Sequence, residues 1–496
     1  MKKVLLKITL SIFLVGFMTS CGDEYFDVNT PSDTFTEDDL TMDDLLGQVL
    51  FRTVSAQYWA SRSFGNYVQY FTGQGGTIIG QTSVSSVWSN TYLYSLPNLN
   101  TIISKAQASG SAHYEGVAKV LIAINMGLVA DTYGNAPYSS AALGTADPQP
   151  GFDSQESIYQ NIDALLNEAI GLLGGPNGSG PSPSAGADLI YAGDTAKWLR
   201  AAYTLKARYA LHLSEVNGVA AANDALSALA NGFTSNADDF QLVYNNRNIN
   251  PWHSREVLAP NTGNVHDKVG DQLVSYMNGS SYPFTTVTID PRLPVYADKD
   301  PTVGLPTDPY RGYDSGGGGL SSDGATANTD FADAGFYTSV GSPITVITYA
   351  EAEFIRAEAE FLSAGGTATS TGANAAAYMA YMDGIAANMN KLGVSGAAYM
   401  ADGAIDVGMA NLELNHIMKE KYIANFLNPE TYVDMRRYDF SDDVFKDLAL
   451  PIDNSDSPYP TQWLVRAVYP SLEETRNPSN VAANKEEPNV QVWWDR

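Results

Sequence analysis

Apolar residues recur at helical spacing in five separate segments, and this pattern constrains the fold more than any other feature of the sequence. Val117, Val120, Leu121, Ile124 and Leu128 fall on one helix face, as do Ile158, Ile162, Leu165, Ala169 and Leu172. Trp198, Ala202, Leu205, Tyr209 and Leu213 make a third stripe, and Tyr349, Ala352, Ile355, Ala359 and Leu362 a fourth. Residues 411–427 predict a fifth helix, halted at Pro429. Such stripes are core faces rather than cofactor-binding surfaces. Those between 115 and 213 alternate with loops, as in stacked helix pairs of tetratricopeptide type, although no tight period of about 34 residues is visible. The fold class this predicts is mostly α.

Two long irregular stretches interrupt the helices. Residues 174–187 are rich in Gly, Pro, Ser and Asn. Residues 244–345 carry repeated Pro and Gly, including Gly316 to Gly319, together with many Tyr, Trp and Phe. Long loops are uncommon in compact domains unless they are functional or disordered, and aromatic content argues against disorder. The second stretch therefore reads as an ordered, loop-rich insertion on a helical scaffold.

The N-terminus assigns a compartment. Lys2, Lys3 and Lys7 precede a short apolar run from Leu10 to Met18, the pattern of a secretory signal over residues 1–20. The run is too short to span a bilayer, which takes about 20 apolar residues, and no later stretch is expected to do so. Met18-Thr19-Ser20-Cys21 resembles a bacterial lipobox, with Cys21 as the lipidated residue; a soluble secreted protein is the alternative. Cys21 is the only Cys, which excludes a disulfide framework and Cys-based zinc or iron–sulfur sites. Several acyl chains would anchor the protein stably where one is marginal. Gly22-Asp23-Glu24 resembles an acidic surface-export signal, and residues 21–39 form a tether ahead of one domain at 40–496. The charge of −27, with 55 Asp+Glu against 28 Lys+Arg, excludes nucleic acid as a natural partner.

Motifs for enzyme chemistry are missing. The five His (113, 212, 253, 266 and 416) show no H-E-x-x-H spacing, and His212 reads as structural. The sequence has no G-x-S-x-G elbow and no phosphate loop ending in Lys-Ser or Lys-Thr. No cofactor is expected. Asp323, Asp330 and Asp333 are a loose candidate for Ca²⁺, with a solvated acidic loop as the favoured reading.

A series of motifs then points to a family. In order they are Val129-Ala130-Asp131-Thr132-Tyr133-Gly134-Asn135-Ala136-Pro137-Tyr138, Lys197-Trp198-Leu199-Arg200 with Leu205-Lys206-Ala207-Arg208, and Asp290-Pro291-Arg292-Leu293 with Tyr310-Arg311-Gly312-Tyr313. Thr348 to Ala359, Glu420-Lys421-Tyr422-Ile423-Ala424, Asp434-Met435-Arg436-Arg437, and Arg466 with Tyr469-Pro470, Glu473 and Asn477 complete the set. In this order, and with the lipobox, the chain resembles the SusD/RagB-like nutrient-binding outer-membrane lipoproteins of Bacteroidetes, within the second SusD-like subfamily. The resemblance implies four tetratricopeptide-like helix pairs carrying a loop-rich ligand face. It further implies a surface lipoprotein that captures oligosaccharides or peptides for a SusC-like TonB-dependent transporter, without catalysis. A surface glycoside hydrolase or peptidase, and a helical-repeat scaffold without a small ligand, are the alternatives.

The residues admit a physical reading beside the resemblance. Glu351, Glu353, Glu358 and Glu360, with Arg356, are expected on a solvated helix face. Arg436 and Arg437 are expected to make buried carboxylate pairs. Asp290-Pro291 reads as a turn starter. Sugar rings stack on flat aromatic faces while Asn, Gln, Asp or Arg meet their hydroxyls, and aromatic rings also suit peptides. Tyr67, Tyr70, Phe71, Gln74, Trp88 and Asn90 make one such group, around Gly73 to Gly80, and Trp252, Tyr282, Tyr296, Tyr310, Tyr313 and Tyr337 another. The candidate ligand residues are Tyr70, Gln74, Trp88, Tyr310 and Tyr313.

Overall fold

The computed structural model describes residues 39–73, 81–142, 147–264, 266–299, 310–454 and 457–496. The proposed signal, Cys21, the acidic tether up to residue 38 and Gln74 lie outside the described residues.

The long helices are α1 (Met42–Phe64), α2 (Leu96–Ser109), α3 (Ala112–Tyr133), α4 (Gln155–Gly174) and α5 (Thr195–His212). They continue as α6 (Val219–Leu229), α7 (Tyr349–Ser363), α8 (Ala375–Leu392), α9 (Leu414–Ala424) and α10 (Glu430–Arg437). Side-chain caps fix where several begin. The Thr41 hydroxyl accepts from the Asp44 N–H while the Asp44 carboxylate accepts from the Thr41 N–H, a reciprocal capping box at α1. Ser154, Asp194, Thr348 and Asn374 accept in the same way from first-turn N–H groups of α4, α5, α7 and α8. Gly110 and Gly393 end α2 and α8 in the left-handed region, where glycine is the least costly residue.

Consecutive helices pack in pairs: α1 on α2, α3 on α4, α5 on α6, and α7 on α8. Contacts of α2 with α3, α4 with α5, and α6 with α7 stack each pair on the next, so apolar faces too small to be stable alone merge into one core. The predicted stripes supply these faces, with a local drift in α4, where Leu166 and Leu173 point inward and Leu165 and Leu172 are half-buried. The helix predicted over 411–427 is shorter, because Leu427 takes a left-handed φ of 59° and the chain restarts as α10 after Pro429. Helix α3 corrects another expectation. It is long and apolar enough to cross a membrane, yet 89% of its apolar window is buried, so it is the central core helix. Gly127 of α3 lets α5 approach: a Cβ there would lie 2.3 Å from the Tyr209 hydroxyl.

Short antiparallel ribbons organise the loop-rich part. Strand β1 (Phe71–Gly73) pairs with β3 (Asp267–Val269), β2 (Phe240–Val243) with β6 (Pro343–Ile347), and β4 (Ala297–Lys299) with β5 (Thr329–Phe331). The β2–β6 ribbon brings together the two ends of the irregular stretch. The β1–β3 ribbon ties it to the segment after α1, with Phe71 opposite Val269.

The acidic series of α7 is mostly withdrawn from solvent, with only Glu360 half-buried. Glu351 and Glu358 are fully buried, and Glu353 is buried against Arg356. The reason is that cations from other elements meet them. Arg208 of α5 donates two 2.7 Å hydrogen bonds to the Glu351 carboxylate, while Lys421 and Arg437 both pair with Glu358 and Asp434. Arg436 departs from expectation in the other direction. It donates to the carbonyls of Tyr432, Asp131 and Val465 and stacks between the rings of Tyr432 and Trp494, with no carboxylate ion pair among the described residues. His212 bridges the Tyr159 hydroxyl and Glu430, a structural position. Asp290 accepts from the Arg292 N–H as a turn starter should, and its carboxylate also binds the Arg292 guanidinium.

Candidate functional site

Helix α1 buries most of its surface but leaves a stripe at Arg52, Ser55, Trp59 and Arg62, the spacing of one helix face. Trp59 is 41% exposed and Tyr94 is 36% exposed, the two most exposed aromatic side chains among the described residues. They belong to one shelf. The Arg52 guanidinium carbon sits 4.0 Å from the centre of the Tyr94 ring, and Arg52 and Trp59 line the same 280 Å³ hollow. Tyr58 and Tyr244 line it from below, and Asn90, Asn248 and Ile249 line it as well. The edge-to-face contacts of Tyr58 with Trp59 at 5.3 Å and with Trp252 at 5.0 Å anchor the platform in the core. Burial pushes the Tyr58 phenol up to about 12, so it stays neutral and can donate a hydrogen bond across the physiological range.

Two irregular helices frame the hollow. Residues Asn90–Ser95 form a π-helix between a short α-turn (Ser85–Ser89) and α2, and His253–Leu258 form another after Pro251. Such widened turns leave backbone and side-chain groups imperfectly paired and are frequent at functional sites. The consequence is visible in the side chains. The Asn90 amide donates to the Ser86 carbonyl, but its oxygen finds no partner among the described residues. Nor do the buried Thr91 and Ser95 hydroxyls, or the Arg52 Nε. Across the hollow, the Asn245 carboxamide accepts from the N–H groups of Arg247 and Asn248, closing the turn that presents Asn248. An apolar face with a hydrogen-bonding rim suits a sugar ring or a flat side chain.

Residues 30–470 match the model of the second SusD-like family, described as starch-binding and associating with the outer membrane. The chain belongs to this SusD-like family. Solved structures agree on the fold. A SusD homologue from Bacteroides uniformis superposes with a TM-score of 0.72 at 22% identity, covering 91% of this chain and 99% of that one. A chitin-binding SusD homologue from Flavobacterium johnsoniae gives a TM-score of 0.69 at 20% identity, covering 91% and 98%. A homologue from Bacteroides ovatus gives 0.68 at 22% identity, covering 92% and 99%. The mostly α, tetratricopeptide-like architecture is that of the SusD structures. No curated protein matches the sequence.

In this SusD-like chain the aromatic residues singled out from sequence lie mainly in the core. Tyr70 is 1% exposed, and its hydroxyl meets the Tyr422 carbonyl at 2.6 Å and Thr431 at 2.7 Å, so it cannot act as a ligand platform here. Trp88 is likewise buried, packed against Tyr92, Tyr133 and Tyr469. Tyr313 is buried beneath the Lys268 ammonium, 5.9 Å from its ring centre. Tyr310 alone of the described candidates is half-buried. Trp252, Tyr282, Tyr296 and Tyr337 are buried too. The backbones of Tyr70 and Tyr313 do come together, both bonded to the β3 end: the Gly270 N–H donates to the Tyr70 carbonyl and the Tyr313 N–H to the Val269 carbonyl. A Cβ at Gly270 would lie 2.1 Å from the Gln69 carbonyl oxygen, which is why the crossing needs glycine. Asp330 pairs with His266 and Lys268 and is drawn partly inward, whereas Asp323, paired with Arg311, and Asp333 are exposed, as a solvated acidic loop requires. No cluster of metal-binding side chains occurs among the described residues.

The shelf residues Arg52, Trp59 and Tyr94 escaped the sequence reading. The available signal was a Trp placed on the otherwise polar stripe of an amphipathic helix.

Proposed function

We propose that this chain is a cell-surface nutrient-binding lipoprotein that captures glycans on the Arg52–Trp59–Tyr94 shelf and passes them to a SusC-like TonB-dependent transporter. In this reading residues 1–20 are a lipoprotein signal, Cys21 carries the lipid anchor, and 21–39 form the tether. Residues 40–496 form one SusD-like domain, with 244–345 as its loop-rich insertion, and the protein binds without catalysing a reaction. The observation that carries the proposal is the shelf itself. In a protein of a family described as starch-binding, Trp59 and Tyr94 are the most exposed aromatic side chains among the described residues, and they sit beside a cation. A homologous structure described as chitin-binding supports the same class of ligand. An exposed aromatic platform costs solvation in the free protein and offers stacking area at low entropic cost on binding.

The test has two arms. Membrane fractionation and affinity purification from the native cell should place the protein in the outer membrane together with a TonB-dependent transporter. Incubation of the purified protein with glycan panels should give saturable binding without product release. Recovery in the soluble fraction without a transporter, or steady turnover of a glycan or peptide, would contradict the proposal.

A further inference from the structure

We infer that the glycan taken by the shelf carries an anionic group, a uronate carboxylate or a sulfate ester, and that Arg52 is its counter-ion. The inference rests on the glycan-binding reading and narrows it.

Charge sets Arg52 apart. Asp and Glu outnumber Lys and Arg by 55 to 28, so a guanidinium in this chain has an abundance of carboxylates to pair with. The buried Arg208, Arg292 and Arg437 each do so. Arg52 does not. Among the described residues it forms no ion pair, its buried Nε has no hydrogen-bond acceptor, and the hollow it lines contains no Asp or Glu. Two further guanidinium groups without an ion pair among the described residues belong to segments that line the hollow. Arg62 continues the stripe of α1, and exposed Arg247 sits in the turn that presents Asn248. The 600 Å³ cavity between α4, α5 and α6 behaves differently. It is lined by Asp163 and Asp224, and its Lys206 is already tied to Asp163 and Asn167.

Stacking on Tyr94 holds the guanidinium in a fixed plane, the arrangement suited to planar, two-pronged recognition of a carboxylate or sulfate. Trp59 next to it supplies the apolar face for the sugar ring. The overall negative charge opposes approach of an anionic glycan at long range, so selectivity must come from this local contact.

Calorimetry on the full chain tests the inference with four oligosaccharide probes of matched length. They are an oligogalacturonate, a sulfated galactan fragment without uronate, a malto-oligosaccharide and a chito-oligosaccharide. At least one anionic probe should bind tenfold or more tighter than either neutral one, and which of the two binds identifies carboxylate or sulfate. Arg52→Gln should weaken that binding about tenfold, Arg52→Lys should recover part of it, and thermal melting should show both variants folded. Should Arg52→Gln fail to fold, exposed Arg247→Gln should still weaken the anionic probe two- to threefold. A neutral probe that binds as tightly, withstands Arg52→Gln and is lost in Trp59→Ala would overturn the inference and leave the glycan shelf standing. Absence of binding by every probe, or binding that withstands Trp59→Ala, would overturn both.

Discussion

Arg292 and Glu420 meet at 2.6 Å with both side chains fully buried, joining the loop-rich stretch to helix α9. Asp290 binds the same guanidinium, Tyr399 donates to the other oxygen of Glu420, and Lys419 pairs with it as well. The contact is one member of a framework that includes Arg208–Glu351 and Lys421–Glu358–Asp434–Arg437.

Breaking one side of such a pair leaves a charge buried without compensation. Glu420→Gln is expected to cost about 3–5 kcal/mol of stability, far more than any change on an exposed helix face. Urea denaturation checks this, and a loss below about 1 kcal/mol would show that the pair is not structurally coupled.

The acid limb of stability follows from the same groups. Burial works against ionisation of Glu420 and Glu358, but Lys419 and Arg292 for one, and Arg437 and Lys421 for the other, hold both well below the ordinary range. The unfolded chain takes up these protons first as pH falls. The stabilisation is therefore fully present above the ordinary carboxylate range and is lost below it. Melting temperature should fall steeply under about pH 4, and the fall should be shallower in Glu420→Gln.

Asp495 behaves in the opposite sense. Burial pushes its carboxyl up to about 7, Arg436 only partly offsetting this and Asp439 and Glu215 adding to it. Between its unfolded pKa of about 3.9 and that value the folded state holds the extra proton, so stability declines as pH rises through this window. Asp495→Asn should match the parent near pH 4 and exceed it by about 1–3 kcal/mol at pH 8. Equal stability of the two proteins at pH 8 would refute the burial of an unpaired carboxylate there.

Much of the fold was legible because it rests on local pattern. Stripes at helical spacing marked α3, α4, α5, α7 and α9, while α1, α2, α6 and α8 went unmarked and the four pairs were implied only by the resemblance. The site was less legible, because exposure is decided by tertiary contacts that a composition of aromatic residues does not record. Tyr70 and Trp59 are both aromatic residues near α1. Packing against Tyr422 and Phe426 buries the first, while the second meets Tyr58 at its edge and keeps much of its surface open. The acids of α7 misled for the same reason. Their partners Arg208, Lys421 and Arg437 come from distant segments.

The placement of Tyr70 yields a separate expectation. Tyr70→Phe removes a hydroxyl that satisfies the Tyr422 carbonyl and Thr431 inside the core, and should cost about 1–3 kcal/mol while leaving ligand affinity unchanged. A changed affinity at constant stability would return Tyr70 to the binding site.

The most direct test of the account is a calorimetric comparison of the parent protein with Trp59→Ala against a glycan that the parent binds. Trp59 is largely outside the core, so the variant should melt within a few degrees of the parent. It should lose about tenfold or more in affinity, as expected for removal of a stacking platform. Undiminished affinity in a folded Trp59→Ala protein would place the glycan site elsewhere and contradict the shelf as the functional surface.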